Sequence, residues 1–166
     1  MLTDNLQEIV VPGGATAPTE NAAAAAVLVV DDEPYVRKVI GRWLTEAGLS
    51  WAQAENAEAA WAYLQQHDVQ VVTLDVSMPG RSGAQLLPQI KEHSPDTQVI
   101  MLTAHDETAL AIRLLTQGAF GFLVKPVSWE DLVPQVRKAM ERRQAAIRQR
   151  QHVQNLEEKV REQSIP

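Results

Sequence analysis

From residue 27 onward, short apolar segments alternate along the chain with longer amphipathic ones. The apolar segments VLVV, VQVVTL, QVIML and FGFLV are rich in β-branched residues, and a weaker one, SWAQA, lies between the first two. The amphipathic segments cover Tyr35–Ala47, Ala57–His67, Ala84–His93 and Glu107–Gln117. Apolar segments without polar alternation are typical of strands buried on both faces. Strands that alternate with helices of this length predict right-handed crossovers, and therefore an α/β fold with one doubly wound parallel sheet.

Prolines and glycines mark the ends of the predicted helices. Pro34 lies where the first helix should start. Gly48 and Gly118 follow the ends of the first and fourth helices, positions that these residue types favour. Pro88 falls inside the third helical segment, so we expect it to kink that helix or to delay its start.

The first 26 residues differ in composition from the rest of the chain. They carry three acids, no base and a PGGATAP segment followed by alanines, with few large apolar side chains. Such a segment gains too little from burial to offset the entropy that it loses on ordering. We therefore predict a flexible N-terminal arm over residues 1–26 and a folded core over residues 27–127.

A fifth helix should leave the core and run on over residues 128–166. Ser128 is a suitable N-cap, with Asp131 three residues later, as in a capping box. Pro134 requires this helix to bend or to begin later. A continuous helix of roughly 36 residues spans about 54 Å, so we expect it to have no surface of the core left to cover beyond Met140.

Composition restricts the class of protein further. The 166 residues carry a formal net charge of −6, with 45% hydrophobic and 22% charged residues and no cysteine. These proportions are typical of a globular protein, and the lack of cysteine excludes disulfide scaffolds, thiolate metal sites and cysteine nucleophiles. No apolar segment reaches the roughly 18 residues of a membrane span, and the N-terminus lacks the pattern of a secretory signal. We therefore expect a cytoplasmic protein that does not enter a membrane.

Polar side chains lie at the carboxyl ends of four predicted strands, the edge at which parallel α/β sheets bind ligands. Asp31 and Asp32 follow the first strand, Asp75 ends the third, Thr103 ends the fourth and Lys125 follows the fifth. Three carboxylates at close range repel one another by several kcal/mol. A hard divalent cation removes this cost, and Mg²⁺ prefers carboxylate and phosphate oxygens. The sequence therefore predicts a Mg²⁺ site at this edge.

The same cluster favours phosphoryl transfer to a carboxylate. Asp75 would attack, Lys125 and the cation would neutralise the developing charge, and Thr103 would donate to the phosphoryl oxygens. The chain has no glycine-rich phosphate loop after the first strand, which argues against binding of a bare nucleotide and against a flavin-binding electron carrier. A phosphohydrolase with an Asp nucleophile stays open as an alternative. That class usually has a second acid two residues after the nucleophile, where this chain has Ser77.

Four segments, LVVDDEP, LDVSMPGRSG, VIMLTAHD and GAFGFLVKP, occur in this order over about residues 27–127. Together they resemble the motifs of response-regulator receiver domains, the chemotaxis-type fold of two-component signalling. The resemblance implies a flavodoxin-like (βα)5 sheet in the strand order 2-1-3-4-5, with an extended C-terminal helix. It also implies that the chain receives a phosphoryl group from a histidine kinase or a histidine phosphotransfer protein.

The resemblance also implies roles for the residues that match these motifs. It gives Asp75 the role of phosphoacceptor and Lys125 that of the ammonium that pairs with the phosphate. It implies that Mg²⁺ contacts Asp32 directly, Asp31 through water and Ser77 through its backbone carbonyl.

A switch is implied as well, formed by the Thr103 hydroxyl and the ring of Phe122, which replaces the commoner tyrosine. The spacing from the phosphoacceptor to Pro79 and Gly83 matches structural positions of the family. The bond between Lys125 and Pro126 is expected to be cis.

The fifth helix bears on assembly and output. Val153, Leu156 and Val160 have the spacing of a coiled coil, so we predict that residues 136–163 pair with a second copy, against the opposition of arginines near 142–150, rather than fray in solvent. Alternatively, the chain is the receiver part of a larger regulator whose output is a cyclic-dinucleotide phosphodiesterase, a cyclase or a kinase. Because the chain is acidic overall, we do not expect nucleic acid as a partner.

Overall fold

The computed structural model describes residues 25–163, which form five strands and five α-helices in alternation. The strands are β1 (Val27–Val30), β2 (Trp51–Ala54), β3 (Val71–Asp75), β4 (Gln98–Thr103) and β5 (Gly121–Val124). The helices are α1 (Pro34–Glu46), α2 (Ala57–Gln66), α3 (Gly83–His93), α4 (Thr108–Leu115) and α5 (Trp129–Gln163), and a short 3-10 helix, His105–Glu107, precedes α4. All predicted strands and helices are present, including the weak second strand.

All five strands lie parallel in one sheet in the order β2-β1-β3-β4-β5. The prediction of a flavodoxin-like sheet followed by an extended C-terminal helix is confirmed. β2 lies on one side of β1, and β3, β4 and β5 follow one another on the other side. The connections that leave β1 and β3 therefore diverge at their carboxyl ends. This divergence opens a crevice, which is where such sheets bind ligands.

Helices cover both faces of the sheet. On one face α2, α3 and α4 pack on a core that includes Leu28 and Leu86. On the other face α1 and α5 pack on a core that includes Val29 and Leu132. Because neighbouring residues of a strand point to opposite faces, all four residues of β1 are buried. This burial explains the unbroken apolar pattern of the strand segments.

Local capping fixes the start of α3. The Ser82 hydroxyl accepts a hydrogen bond from the Gln85 backbone N–H at 3.1 Å, and the Gln85 side chain accepts one from the Ser82 N–H at 3.0 Å. This capping box satisfies two of the N–H groups that a helix start leaves without intrahelical partners. Pro88 lies inside α3, which begins at Gly83, so the proline does not delay the start of the helix.

The folded core begins two residues earlier than predicted. The predicted N-terminal arm falls on residues that lie, up to residue 24, outside the described part of the chain. Ala25 and Ala26, however, are buried. The Ala26 carbonyl accepts hydrogen bonds from the N–H groups of Gln70 and Val71, at 3.0 and 3.1 Å. These two alanines therefore belong to the core, because their backbone connects the start of β1 to the start of β3.

Helix α5 is continuous over 35 residues, which corresponds to about 52 Å. The Ser128 carbonyl accepts from the Leu132 N–H at 2.9 Å, and the helix passes through Pro134 without ending. Leu132, Val136 and Ala139 are fully buried against the sheet. No helix within residues 25–163, α5 included, is both long and apolar enough to cross a membrane.

The expectation that α5 contacts no core surface beyond Met140 is wrong. The Arg143 guanidinium donates to Asp68, before β3, at 2.8 Å, and Arg150 forms an ion pair with Asp96, before β4. Both acids lie in loops at the amino edge of the sheet, which the continuing helix reaches.

The predicted pairing segment, residues 136–163, therefore begins too early in the chain. Its first part is already covered by the domain itself. Val136 and Ala139 are buried, and ion pairs hold the helix as far as Arg150. Residues 151–163 are all exposed. In the described part of α5, this last segment is exposed along its whole length.

Candidate functional site

The carboxyl edge of the sheet brings together the five polar residues that the sequence places at strand ends. Asp31 and Asp32 directly follow β1, and Asp75 and Thr103 are the last residues of β3 and β4. Lys125 directly follows β5, and its backbone N–H donates to the Thr103 carbonyl at 2.8 Å. Because β1 and β3 are neighbours in the sheet, their terminal carboxylates lie side by side in the crevice.

Oxygens of the Asp31, Asp32 and Asp75 carboxylates lie within 4.8 Å of one another. Asp31 and Asp75 are buried, whereas Asp32 is exposed to solvent. Three hard, negatively charged oxygen ligands, one of them open to water, are a donor set that Mg²⁺ prefers. The residues present therefore fit the predicted divalent cation.

Lys125 lies between the two buried carboxylates. Its Nζ is 3.0 Å from Asp31 Oδ2 and 3.3 Å from Asp75 Oδ2. One ammonium thus offsets part of the repulsion between two buried anions. A residual negative charge is left over the cluster, which a cation can compensate.

Hydrogen bonds from the start of α1 hold Asp31 in place. The Glu33 N–H donates to Asp31 Oδ1 at 2.9 Å, and Arg37 Nη1 donates to the Asp31 carbonyl at 2.7 Å. Arg37 Nε also donates to Gln53 Oε1, in β2, at 2.6 Å. The sequence analysis missed Arg37, because nothing in the pattern of α1 indicates that this arginine turns back to the strand before it.

Burial dominates the acid–base properties of the cluster. Burial, reinforced by the charge of Asp31 and opposed by Lys125, raises the pKa of Asp75 from 3.8 to about 7. Burial lowers the pKa of Lys125, but the hydrogen bond and charge of Asp31, together with Asp75, outweigh it and raise that pKa above 10.5. The fold thus favours a protonated Asp75 when no metal is bound. The contribution of Asp75 to the free energy of unfolding should therefore fall as the pH rises from about 4 to 7.

Gly83, eight residues after the phosphoacceptor candidate Asp75, lies in close contact with the backbone of Asp75. A Cβ atom on Gly83 would lie 2.0 Å from the Asp75 carbonyl oxygen. The Gly83 N–H donates to the Val76 carbonyl at 2.9 Å. Between them, Pro79 is followed by Gly80, whose φ of 80° suits the turn of this loop. The turn and Gly83 bring α3 directly against the end of β3.

The two predicted switch residues occupy different environments. Thr103 is fully buried, and its hydroxyl donates to the Ala104 carbonyl at 3.2 Å. Phe122 is half-buried against the core beneath α2, α3 and α4. The peptide bond between Lys125 and Pro126 is cis, as the resemblance implies.

Glu107 belongs to the site although the sequence analysis did not select it. Its Oε1 accepts from the Ala104 N–H at 3.2 Å, and its Oε2 accepts from the Ser77 hydroxyl. In the sequence, Glu107 resembles an ordinary acid near the start of a helix. Nothing in this position indicates its contact with Ser77, 30 residues earlier in the chain.

A doubly wound 2-1-3-4-5 sheet with an acidic trio, a bridging lysine and a buried threonine at its carboxyl edge defines a receiver-type α/β domain. The family model of the response regulator receiver domain matches residues 27–137, more than half of the chain. The chain therefore belongs to this family. Receiver domains of this kind are phosphoacceptors in two-component signalling; histidine kinases phosphorylate them, and they bind Mg²⁺ at an Asp cluster.

Two curated relatives match this chain over a part of their own length. The C4-dicarboxylate transport transcriptional regulatory protein DctD of Pseudomonas aeruginosa is 34% identical over 128 residues, which cover 77% of this chain and 28% of that protein. The DNA-binding transcriptional regulator NtrC of Salmonella typhimurium is 39% identical over 114 residues, or 69% of this chain and 24% of that protein. The chain therefore spans about a quarter of the length of these relatives.

Solved receiver domains match over almost their entire length. The receiver domain of NtrX from Brucella abortus has 30% identity and a TM-score of 0.67, with 69% of this chain and 98% of that chain covered. A receiver domain protein from Clostridium thermocellum has 31% identity and a TM-score of 0.69, with 74% of this chain and 98% of that chain covered.

The ion-pair network predicts the effect of removing the bridging ammonium. Breaking a fully buried ion pair costs about 3–5 kcal/mol, so Lys125→Gln, at a partly exposed lysine, should lower the free energy of unfolding by about 2 kcal/mol at pH 8 without Mg²⁺. The cost should shrink at pH 5, where Asp75 is mostly protonated. Urea unfolding followed by tryptophan fluorescence measures both values.

The matched control places the same substitution in a chain that carries Asp75→Asn, where less negative charge is left uncompensated and the cost should be smaller. An equal cost at both pH values and in both backgrounds would contradict this account of the network.

Proposed function

We propose that Asp75 accepts a phosphoryl group from a phosphohistidine of a histidine kinase or a histidine phosphotransfer protein. The observation that carries this proposal is the Lys125 ammonium, 3.3 Å from the Asp75 carboxylate at the open edge of the sheet. A carboxylate oxygen of Asp75 attacks the phosphorus, the bond from phosphorus to the donor's imidazole nitrogen breaks, and its electron pair leaves with the imidazole. The product is an acyl phosphate, and Lys125 neutralises part of its added charge.

The carboxylate trio is proposed to hold Mg²⁺, which supplies the positive charge that the phosphoryl oxygens require. Asp32 is exposed and free to contact the ion directly. Asp31 Oδ1 accepts from the Glu33 N–H and its Oδ2 faces Lys125, which favours a contact through water. The backbone carbonyl of Ser77, two residues beyond Asp75, is proposed as a further ligand.

The phosphohydrolase alternative is less well supported by this site. Ser77 occupies the position at which that class usually carries its second acid. The Ser77 hydroxyl donates a hydrogen bond to Glu107 and is not left available to protonate a leaving group. Acceptance of one phosphoryl group per chain, with hydrolysis as a slow second step, agrees better with the family.

The switch is proposed to connect the acyl phosphate to the surface beside α4. The buried Thr103 hydroxyl now donates to a backbone carbonyl, and a phosphoryl group on Asp75 offers it a stronger, charged acceptor. Movement of Thr103 towards the phosphate would open space for the half-buried ring of Phe122. NMR signals of this ring that do not change on phosphorylation would contradict the role.

The phosphodonor is proposed to contact the surface beside the site. A groove of about 350 Å³ lies between α1 and the loop after β5, and its lining includes Tyr35, Trp43, Lys125 and Pro126. Tyr35, at the start of α1, is 77% exposed. Because the donor's imidazole must reach Asp75, its carrier domain has to cover neighbouring surface, and an exposed apolar ring there provides contact area.

The end of α5 is proposed to pair with a second copy of the chain through residues 151–163. Val153, Leu156 and Val160 are 45%, 48% and 64% exposed, at coiled-coil spacing. The intramolecular ion pairs of Arg143 and Arg150 remove part of the arginine repulsion that would oppose such pairing. They also leave these arginines less available to nucleic acid.

The long exit helix and the family bear on the output and the location of the chain. A cyclic-dinucleotide phosphodiesterase, a cyclase or a kinase as the output of a larger regulator is compatible with a long exit helix. The DNA-binding and transcriptional roles in the names of DctD and NtrC belong to proteins of which this chain covers about a quarter. We propose the cytoplasm as the compartment, since the kinases that supply the phosphoryl group use ATP there.

The phosphoacceptor role is tested by chemical labelling. Acetyl phosphate with Mg²⁺ should add one phosphoryl group to the wild-type chain, and Asp75→Asn should abolish the addition because the amide is not nucleophilic. Asp32→Asn should slow labelling and raise the Mg²⁺ concentration that it requires, because a ligand charge is lost. Intact-protein mass spectrometry measures each. Equal labelling of wild type and Asp75→Asn would exclude Asp75 as the acceptor.

The docking surface is tested by comparing two donors. Tyr35→Ser should slow transfer from a phosphorylated histidine kinase that labels the wild-type chain, by about tenfold if the ring contributes about 1.4 kcal/mol. It should leave labelling by acetyl phosphate unchanged, because a small donor needs no docking surface. Ile112→Ser, at a 52% exposed residue on α4, is the matched control. Loss with both donors, or with neither, would count against docking at Tyr35.

Pairing of the α5 ends is tested by sedimentation. Full burial of an aliphatic side chain contributes about 1.5–3 kcal/mol, and less at a half-exposed seam, so we expect a weak dimer at high micromolar concentration. Leu156→Lys should abolish it, whereas Glu157→Lys, next to the seam, should not. A wild-type chain that stays monomeric throughout this range would contradict the pairing.

A further inference from the structure

The carboxylate of Glu107 joins two loops on either side of the phosphoacceptor. One of its oxygens accepts from the Ser77 hydroxyl in the β3–α3 loop, and the other accepts from the Ala104 N–H, 3.2 Å away, at the end of β4. Ser77 lies two residues after Asp75 and also donates its backbone N–H to Asp75 Oδ1, at 3.3 Å. A single anion is thus bound by donors that flank the reacting carboxylate.

A capping role explains only half of this arrangement. An acid that accepts from the N–H three residues earlier is an ordinary partner for the start of a helix, and Glu107 ends the short 3-10 helix before α4. The contact with Ser77 has no capping function, since it crosses to another loop. Ala104 and Ser77 are both exposed, so the donors that Glu107 occupies are open to an incoming anion.

We propose that Glu107 is a positioning residue that occupies the place of the phosphoryl oxygens until phosphorylation displaces it. This inference rests on the proposed acceptance of a phosphoryl group by Asp75. The acquired group carries about −1.5 to −2 charge and strong acceptor oxygens, and it competes with Glu107 for the Ser77 hydroxyl and the Ala104 N–H. Two anions are not accommodated on the same two donors, because they repel one another at this range.

Displacement of Glu107 has two consequences. It releases the hydrogen bond between Ser77 and Glu107, which joins the β3–α3 loop to the segment before α4, so α4 becomes free to move when Asp75 is modified. It also means that the unmodified chain resists the entry of a phosphoryl group, because Glu107 must leave first. Glu107 therefore sets both the rate of labelling and the coupling of the site to α4.

The test compares labelling rates of the full chain with acetyl phosphate and Mg²⁺. Glu107→Ala removes the internal anion, and Glu107→Gln keeps its shape but removes its charge. Both should accelerate labelling, about five- to tenfold for the alanine variant, which corresponds to the net contribution of one ordinary hydrogen bond, about 1–1.4 kcal/mol. Asp106→Asn removes the same charge from the adjacent exposed residue and should change the rate by less than about twofold, since an exposed charge is screened.

A second measurement reports the displacement itself. In NMR spectra of the wild-type chain, the Ala104 amide proton and the Glu107 side-chain carboxyl should both shift on phosphorylation. In Glu107→Gln the Ala104 amide should start from a different position, because its charged acceptor is missing. This readout does not depend on the labelling rate. The Glu107 carboxyl is the discriminating signal, because the Ala104 amide lies next to Thr103 and shifts with the added charge in any case.

The outcomes separate the two proposals. Faster labelling of the Glu107 variants, with Asp106→Asn unchanged and the two wild-type signals shifted, supports the displacement. Equal rates in wild type and both Glu107 variants, or equal acceleration by Asp106→Asn, would overturn it while Asp75 remains the acceptor. No labelling of any chain, wild type included, would overturn the proposed function and the displacement with it.

Discussion

The Lys125 ammonium lies between the buried carboxylates of Asp31 and Asp75, and the rest of the site depends on this arrangement. Two like charges come together there because β1 and β3 are neighbours in the sheet and end at the same edge. One ammonium cannot neutralise both, and Asp32 adds a third charge. The cluster therefore retains an affinity for positive charge that a divalent cation satisfies, and burial raises the pKa of Asp75.

Close contacts hold the backbone that carries these carboxylates. Gly83 allows α3 to approach the Asp75 carbonyl, and Arg37 holds the Asp31 carbonyl from α1. Such contacts fix the carboxylates against their own repulsion. In the proposed switch, Glu107 and the Thr103 hydroxyl exchange their present hydrogen bonds for those that an acquired phosphoryl group imposes. This exchange is how we propose that a charge added at Asp75 becomes a movement of α4.

The fold and the central residues could be predicted from the chain alone, because strand ends and motif spacing are local properties. The contacts that were missed join segments distant in sequence, such as Ser77 with Glu107 and Arg143 with Asp68. Glu107, Arg143 and Asp68, the partners that were missed, do not differ from ordinary surface residues in their own sequence context. The extent of the core was also underestimated at both ends for the same reason, since burial of Ala25 depends on neighbours that composition does not reveal.

A ¹³C NMR titration of the Asp75 side-chain carboxyl tests the central claim most directly, namely that buried, mutually repelling carboxylates give the site its affinity for a cation. In Mg²⁺-free buffer the account predicts a pKa of about 7, and a clear decrease when Mg²⁺ is added, because a bound cation favours the ionised form. A pKa near 3.8 in metal-free buffer, unchanged by Mg²⁺, would contradict it.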